Sequence, residues 1–277
     1  MTPEDRSAVA DFHSHLVPGV DDGARTLDES LEAVERMVQA GIRKIITTPH
    51  LDGSLTREPR AFAERMAHVD GAWDEVRTAV GRRFPEVDFR RGHELMLDIP
   101  DPDLSDPRIR LGGTSFVLIE WPRLQLPPGT VEVLARLRAS GVRPIVAHPE
   151  RYIGFDRGLE LVAEWRRAGA FLQMNYGSLV GRYGPEARTL AHRLLKRGWA
   201  DYLSSDFHGR AHLQIYREEA VAKLAERGAE EQLTLLGLTN PQRVFKDQEP
   251  LPVPPLLAEP TLWGRLREMI GQRGGGR

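Results

Sequence analysis

The chain has 277 residues, enough for one large α/β barrel or two ordinary domains. Its 38 basic and 40 acidic side chains nearly balance, which argues against the basic excess that nucleic-acid binding requires. It contains no cysteine, so disulfides, thiolate zinc sites and a cysteine nucleophile are all excluded.

The chain opens without a charged leader and apolar segment, and no apolar run approaches the roughly 18 residues of a membrane span. A soluble cytoplasmic protein is expected. Val9 to His15 reads as a short strand, followed by a loop with Pro18, Gly19 and Gly23. Leu27 to Ala40 carries a helical stripe of Leu27, Leu31, Val34, Met37 and Val38, ended by Gly41. Lys44 to Thr48 is the next strand, a long helix covers Pro59 to Val80, and Val87 to Gly92 is a third strand. Phe116 to Glu120 is a fourth, closed by Trp121-Pro122. A helix from Thr130 to Ser140 leads into the strand Arg143 to Ala147. Leu159 to Ala168, Ala170 to Asn175, Pro185 to Lys196 and Ala200 to Ser205 repeat the alternation. Seven strands with helical or looped returns and no long linker predict one closed parallel barrel over residues 1–249. Residues 250–277 read as an appendage: Pro250 to Pro260 is proline-rich, Leu262 to Ile270 suits a short amphipathic helix, and Gly274 to Gly276 is a flexible end.

Histidines and carboxylates recur at one register of this plan. His13, His15, His50, Glu94, Glu120, His148, Asn175, Asp206 and His208 all fall at or just past strand C-terminal ends, which converge on one rim of a parallel barrel. His13-Ser14-His15 has the period of a strand, so both imidazoles face one way and can grip a single ion. Ser205-Asp206-Phe207-His208 repeats that spacing with a carboxylate first, although capping the next helix is a competing role for Asp206. Glu94 follows Gly92-His93, and Glu120 ends the apolar run Phe116 to Ile119, where a buried charge needs a cationic partner. Imidazole and carboxylate ligands suit Mn, Fe and Zn, and adjacent ions need a shared carboxylate to offset their repulsion. Arg151 and Arg210 put guanidinium groups, which fit phosphate oxygens, close to the rim. His68, His192 and His212 stand alone in helical segments, and His93 points away from its neighbour Glu94. These four read as bystanders.

The run Asp11 to Ala24 (DFHSHLVPGVDDGA), with Thr48-Pro49-His50, Gly92-His93-Glu94, Leu118-Ile119-Glu120, Ala147-His148-Pro149-Glu150-Arg151-Tyr152 and Ser205-Asp206-Phe207-His208, resembles the polymerase and histidinol phosphatase superfamily. Within it the pattern is similar to the bacterial capsule-type protein-tyrosine phosphatases, over about residues 8 to 248 and including Asn240-Pro241. The resemblance implies a distorted (β/α)7 barrel with three divalent metal ions, manganese first, with iron or zinc as alternatives. It also implies a ligand scheme: His13, His15, Glu94 and Asp206 on a first ion, and Glu94 bridging to a second held with Glu120 and His148. His50 and His208 would hold a third with a carboxylate of the pair Asp21 and Asp22, either of which would serve directly or through a neighbour. The family has a longer loop with an Arg-Pro pair after its last histidine; here Gly209-Arg210-Ala211-His212 stands in its place, whereas Glu150-Arg151 is retained.

The activity so implied is hydrolysis of phosphotyrosine by a metal-activated hydroxide, with Arg151 and Arg210 on the phosphoryl oxygens. The implied partner is a phosphotyrosine-bearing protein, a membrane-associated tyrosine autokinase that controls capsule or exopolysaccharide production. The tail helix is then available to that partner or to a second copy in a homo-oligomer, while packing on its own barrel is the simpler reading. Two other functions compete: a small-molecule phosphatase acting on histidinol phosphate or a nucleotide, and a module that binds phosphotyrosine without cleaving it.

Overall fold

The computed structural model describes residues 8–152 and 159–256. Strand β1, Val9–Asp11, is followed by helix α1, Leu27–Gln39, whose N-cap Thr26 accepts a hydrogen bond from the Glu29 amide and whose face of Ala33, Val34 and Met37 is buried. Gly41, with φ of 81°, turns the chain out of this helix into strand β2, Ile42–Thr47. The expected second and third strands form, and each is continued after a break by a short strand that was not expected. Beyond β2 the chain steps over Thr48-Pro49 into β3, His50–Asp52; after helix α2, Pro59–Arg83, strand β4, Asp88–Arg91, steps over Gly92-His93 into β5, Glu94–Met96. Proline supplies no ladder N–H, and a side chain at Gly92 would meet the Arg110 carbonyl oxygen at 2.8 Å, so both breaks have a local cause.

Because of these breaks the hydrogen-bonded ladders form two sheets, β1-β2-β4 and β3-β5-β6-β7-β8-β9, every pairing parallel. Here β6 is Phe116–Glu120, β7 Arg143–Ala147, β8 Phe171–Asn175 and β9 Tyr202–Ser204, returned through helices α3 (Thr130–Ala139), α4 (Glu160–Arg167), α5 (Tyr176–Val180) and α6 (Pro185–Arg197). Counting each broken pair as one strand restores the seven of the sequence reading, and the fold class is the expected α/β barrel type. The first and last strands meet mainly past their ends. Ser14 bridges Phe207, the His15 amide donates to the Phe207 carbonyl at 2.9 Å, and the Asp206 amide donates to the His13 carbonyl at 2.9 Å. Side chains extend this seam: Asp11 accepts from the Ser205 amide at 2.8 Å and Ser204 Oγ from the Phe12 amide at 3.2 Å.

Alternation along the strands separates two cores. Phe116 and Leu118 of β6 pack inside with Phe12, Ile46, Ile145 and Tyr202, whereas Val117 and Ile119 face Leu134, Trp165 and Leu194 of the surrounding helices. Trp121 and Trp165 stack with ring centres 5.2 Å apart in the outer layer. Four segments were not anticipated: α5, then α7 (Arg217–Ala225), α8 (Glu230–Thr234) and α9 (Asn240–Val244), the last two joined by a wide turn over Leu235–Thr239. His212 lies in an exposed turn, not in a helix. The described part of the expected appendage is docked: Val253 and Leu256 are buried in the outer core, the Leu256 amide donates to the Leu195 carbonyl, and Asn240 bonds both polar backbone groups of Leu251. The expected helix at 262–270 and the glycine end at 274–276 lie outside the described residues. No helix among the described residues is long and apolar enough to cross a membrane.

Candidate metal centre

The barrel rim gathers the expected side chains. His13 and His15 are fully buried, and each has its Nδ1 engaged from behind: His13 donates to Gln173 Oε1 at 2.8 Å, and His15 to Asp21 Oδ2 at 2.8 Å. These bonds turn both Nε2 atoms toward the centre, and with the Nδ1 proton held from behind, loss of the Nε2 proton gives the tautomer a metal ligand needs. His208 is arranged the same way, with Nδ1 on the Asp206 carbonyl at 3.0 Å. The buried Glu94 lies between them all. Its Oε2 is 3.1 Å from His13 Nε2, 3.3 Å from His15 Nε2 and 3.4 Å from His50 Nδ1, and its Oε1 is 3.1 Å from His148 Nε2.

Four sets of ligand atoms each lie within 4.8 Å of one another: His13, His15 and Glu94; His13, His148 and Asp206; His50, Glu94 and Glu120; and His15, Asp22, His50 and His208. Every histidine and carboxylate expected at the rim falls in one of them except Asp21, which orients His15 and accepts from the His50 and Gly23 amides. The two aspartates thus differ in place. Asp22 stands 3.4 Å from Nε2 of both His50 and His208. His50 differs from the expected scheme as well, since its Nδ1 faces Glu94 and Glu120 while its Nε2 faces Asp22. His93 belongs to no set; its Nδ1 meets the Arg108 carbonyl and burial holds it neutral, with its pKa down at about 3.

Four buried atoms at the centre of this array, His13 Nε2, His15 Nε2, His50 Nδ1 and Glu94 Oε2, make no hydrogen bond among the described residues. Leaving that many polar atoms buried and unpaired is costly, and cations held in the two sets that Glu94 joins, His13 with His15 and His50 with Glu120, would relieve it. The donor set of imidazole nitrogens and carboxylate oxygens therefore fits divalent transition ions. Charge balance agrees. Burial pushes the Glu94 carboxyl upward, but His13, His148 and His15 outweigh it and hold it well below the usual carboxylate range. Asp206 is likewise held down, against burial, by His13, His15, His208 and Arg151. Burial and His15 push the His50 imidazolium down, yet Asp22, Glu120 and Glu94 lift it to about 10. Two of these candidate ligands carry backbone strain: His148 and Asp206 have φ of 34° and 52°, a conformation that L-residues reach at a cost of roughly 1–3 kcal/mol.

A second layer was missed by sequence reasoning, apart from Asn175. Gln173 and Asn175 alternate on β8 and reach inward, Gln173 to His13 and Asn175 Nδ2 to Asp206 Oδ2 at 2.8 Å; their polar period of two within an apolar strand was the available signal. Glu150 accepts from the Asn175 amide and from Ser178. Arg65, from the second turn of α2, donates to the Val20 and His50 carbonyls at 2.8 and 2.7 Å, and nothing local in the sequence marked it. Of the two arginines expected at the rim, Arg151 binds Asp206 Oδ2 at 2.6 Å and faces a cleft of about 200 Å³. Arg210 instead donates to the carbonyls of Gly23 and Asp22, both at 2.7 Å, clamping the loop that carries Asp22.

Residues 9–246 match the model of the family described as "Capsular polysaccharide synthesis, CpsB/CapC". The chain is 27% identical over 248 residues to the tyrosine-protein phosphatase YwqE of Bacillus subtilis (strain 168), covering 88% of this chain and 94% of that one. It is 25% identical over 244 residues to the tyrosine-protein phosphatase CpsB of Streptococcus agalactiae serotype V (strain ATCC BAA-611 / 2603 V/R), covering 86% and 98%. Among solved structures, one from the work on YwqE of Bacillus subtilis and CpsB of Streptococcus pneumoniae, described as unique metal-dependent tyrosine phosphatases, superposes with a TM-score of 0.70 at 25% identity over 88% of this chain and 97% of its own. The Escherichia coli phosphotriesterase homology protein, at 15% identity, 87% and 99% coverage and a TM-score of 0.51, shares the fold alone.

Proposed function

The chain belongs to the CpsB/CapC capsular polysaccharide synthesis family, and from that membership we propose that it is a metal-dependent protein-tyrosine phosphatase. The observation that carries this reading is Glu94, a buried carboxylate whose Oε2 faces three imidazole nitrogens at 3.1 to 3.4 Å with no hydrogen bond of its own. In the proposed arrangement three divalent ions, manganese by preference, would be held by His13, His15, Asp22, His50, Glu94, Glu120, His148, Asp206 and His208, with Glu94 shared. Such ions supply positive charge for the phosphoryl oxygens and a water acidic enough to act as nucleophile at neutral pH.

The chain's own residues do the rest. Gln173 and Asp21 fix the tautomers of His13 and His15. Arg151, anchored to Asp206, offers its remaining donors to the phosphoryl oxygens. Arg210 and Arg65 act as positioning residues, holding the loop of Asp22 and the backbone of His50. With no cysteine in the sequence, no thiolate competes for the role of nucleophile. The proposed physiological substrate is a tyrosine-phosphorylated autokinase of capsule production, acted on in the cytoplasm.

Elemental analysis of the purified chain, joined to turnover of a phosphotyrosyl peptide with Mn, Fe, Zn or chelator, tests the reading. The expected result is close to three ions per chain, peptide turnover lost on chelation, and both lost in Glu94→Ala. Faster turnover of histidinol phosphate or a nucleotide than of the peptide would move the assignment to a small-molecule phosphatase. Full metal-dependent activity in Glu94→Ala would refute the site.

A further inference from the structure

The cleft beside Asp206 and His208 has a second wall that the proposed chemistry leaves unused. It is lined by Arg151, Arg182, Tyr183, Leu213 and Tyr216 in addition to the metal-facing groups, and its one carboxylate, Asp206, is already bound by Arg151. The Arg182 side chain is exposed and makes no hydrogen bond or ion pair among the described residues. The turn that presents it is firmly built. Gly181 and Gly184 take φ of 89° and 95°, the Arg182 amide donates to the Gly177 carbonyl at 2.9 Å, and a side chain at Gly177 would press on Tyr183 at 3.1 Å and on Arg182 at 3.2 Å. Next to it the half-buried Tyr183 ring lies under the Arg151 guanidinium, 4.3 Å from its centre, and sets its hydroxyl 3.4 Å from Asn175 Nδ2.

We propose that Arg182, with Tyr183, Leu213 and Tyr216, forms a specificity subsite that binds an acidic residue flanking the phosphotyrosine of a peptide substrate. It rests on the tyrosine-phosphatase reading and adds the class of peptide preferred. The cleft has an excess guanidinium and no free carboxylate, so an acidic peptide gains a charge-assisted bond that a neutral one cannot make. The aromatic and aliphatic side chains beside it give the substrate ring an apolar wall. Arg182 touches none of the candidate ligands through any hydrogen bond, so its role is separable from metal binding.

The test uses the full metal-loaded chain and two labelled phosphotyrosyl peptides, one with Asp and Glu around the phosphotyrosine and one with Asn and Gln there. Binding is read by fluorescence anisotropy and turnover by phosphate release, with a small aryl phosphate as third substrate. The native chain should bind the acidic peptide about tenfold more tightly, the worth of one good charge-assisted contact. Arg182→Gln should remove that preference through Kd and KM, keep kcat and leave the small aryl phosphate unchanged, and Arg182→Lys should restore part of it. Equal binding of both peptides by the native chain, or an Arg182→Gln effect equal for all three substrates, overturns the subsite. Because anisotropy needs no turnover, a chain that binds with this preference but releases no phosphate supports the subsite and counts against the phosphatase reading alone.

Discussion

At the scale of single residues, the centre depends on which atom of a side chain faces inward. Asp21 and Asp22 are adjacent in sequence, yet one fixes His15 Nδ1 at 2.8 Å and the other faces two imidazole Nε2 atoms. Asp21→Asn keeps the size but removes the charge and one of two acceptor oxygens, so His15 Nδ1 and the Gly23 amide can no longer both be accepted and the hold on the His15 tautomer weakens. Metal affinity should fall by about 10–100-fold, with the far-ultraviolet dichroism unchanged, as expected when an outer partner of a ligand is removed. Asp22→Asn should cost one ion per chain on elemental analysis, leaving the others. Unchanged stoichiometry would assign Asp22 another role. The sequence made the strand-end histidines and carboxylates legible because period and register are local properties. It could not separate Asp21 from Asp22, which depends on how the loop folds back on His15 and His50, nor show that Arg210 reaches back to the Asp22 and Gly23 carbonyls, 188 and 187 positions away.

At the scale of elements, the interruptions in two strands place two of the candidate ligands, His50 and Glu94. Thr48-Pro49 and Gly92-His93 break β2 from β3 and β4 from β5, and His50 and Glu94 are the first residues beyond the breaks, paired with each other in parallel register. The ladder survives the step because the Gly92 amide donates to the Thr47 carbonyl at 3.0 Å and the Glu94 amide to that of Pro49 at 3.2 Å. Gly92→Ala would push a methyl to 2.8 Å from both the Arg110 oxygen and Leu111 Cα, backbone atoms that cannot step aside. Overpacking of this kind costs about 1–3 kcal/mol, so denaturant melts of the chelated protein should show a lower midpoint and an unchanged m-value. A midpoint equal to the native one would mean the step relaxes freely. Strand periodicity in the sequence made all seven barrel strands legible but hid these breaks, because the residues on either side of each remain strand-like. The helices after His208 went unread for another reason: α7 buries only Ala220 and Leu224, a weak stripe for sequence periodicity to detect.

For the whole molecule, the centre lies where the first and last strands meet, drawing His13 and His15 from one and Asp206 and His208 from the other across a seam with a single backbone bridge. Ions held across that seam, as proposed above, would do the work of a longer ladder and would couple metal loading to folding. The coupling has opposite pH dependence in the loaded and chelated protein. Without ions, the neighbouring carboxylates raise the folded-state pKa of His13, His15 and His50, the last to about 10, above the usual 6.5. In that window the folded state holds more protons than the unfolded one. The chelated protein should therefore melt at progressively higher temperature as pH falls from about 10 to 6.5, the added stability being fully present below 6.5 and lost as pH rises. The loaded protein behaves the other way relative to it, because protons and ions compete for the same nitrogens, so its margin over the chelated form should narrow across the same descent. Paired thermal melts with and without chelator at several pH values, together with amide exchange over residues 8–16 and 202–208, check both halves. A margin independent of pH, or seam amides equally protected in the two forms, would show that the ions bind beside the fold without holding its ends together.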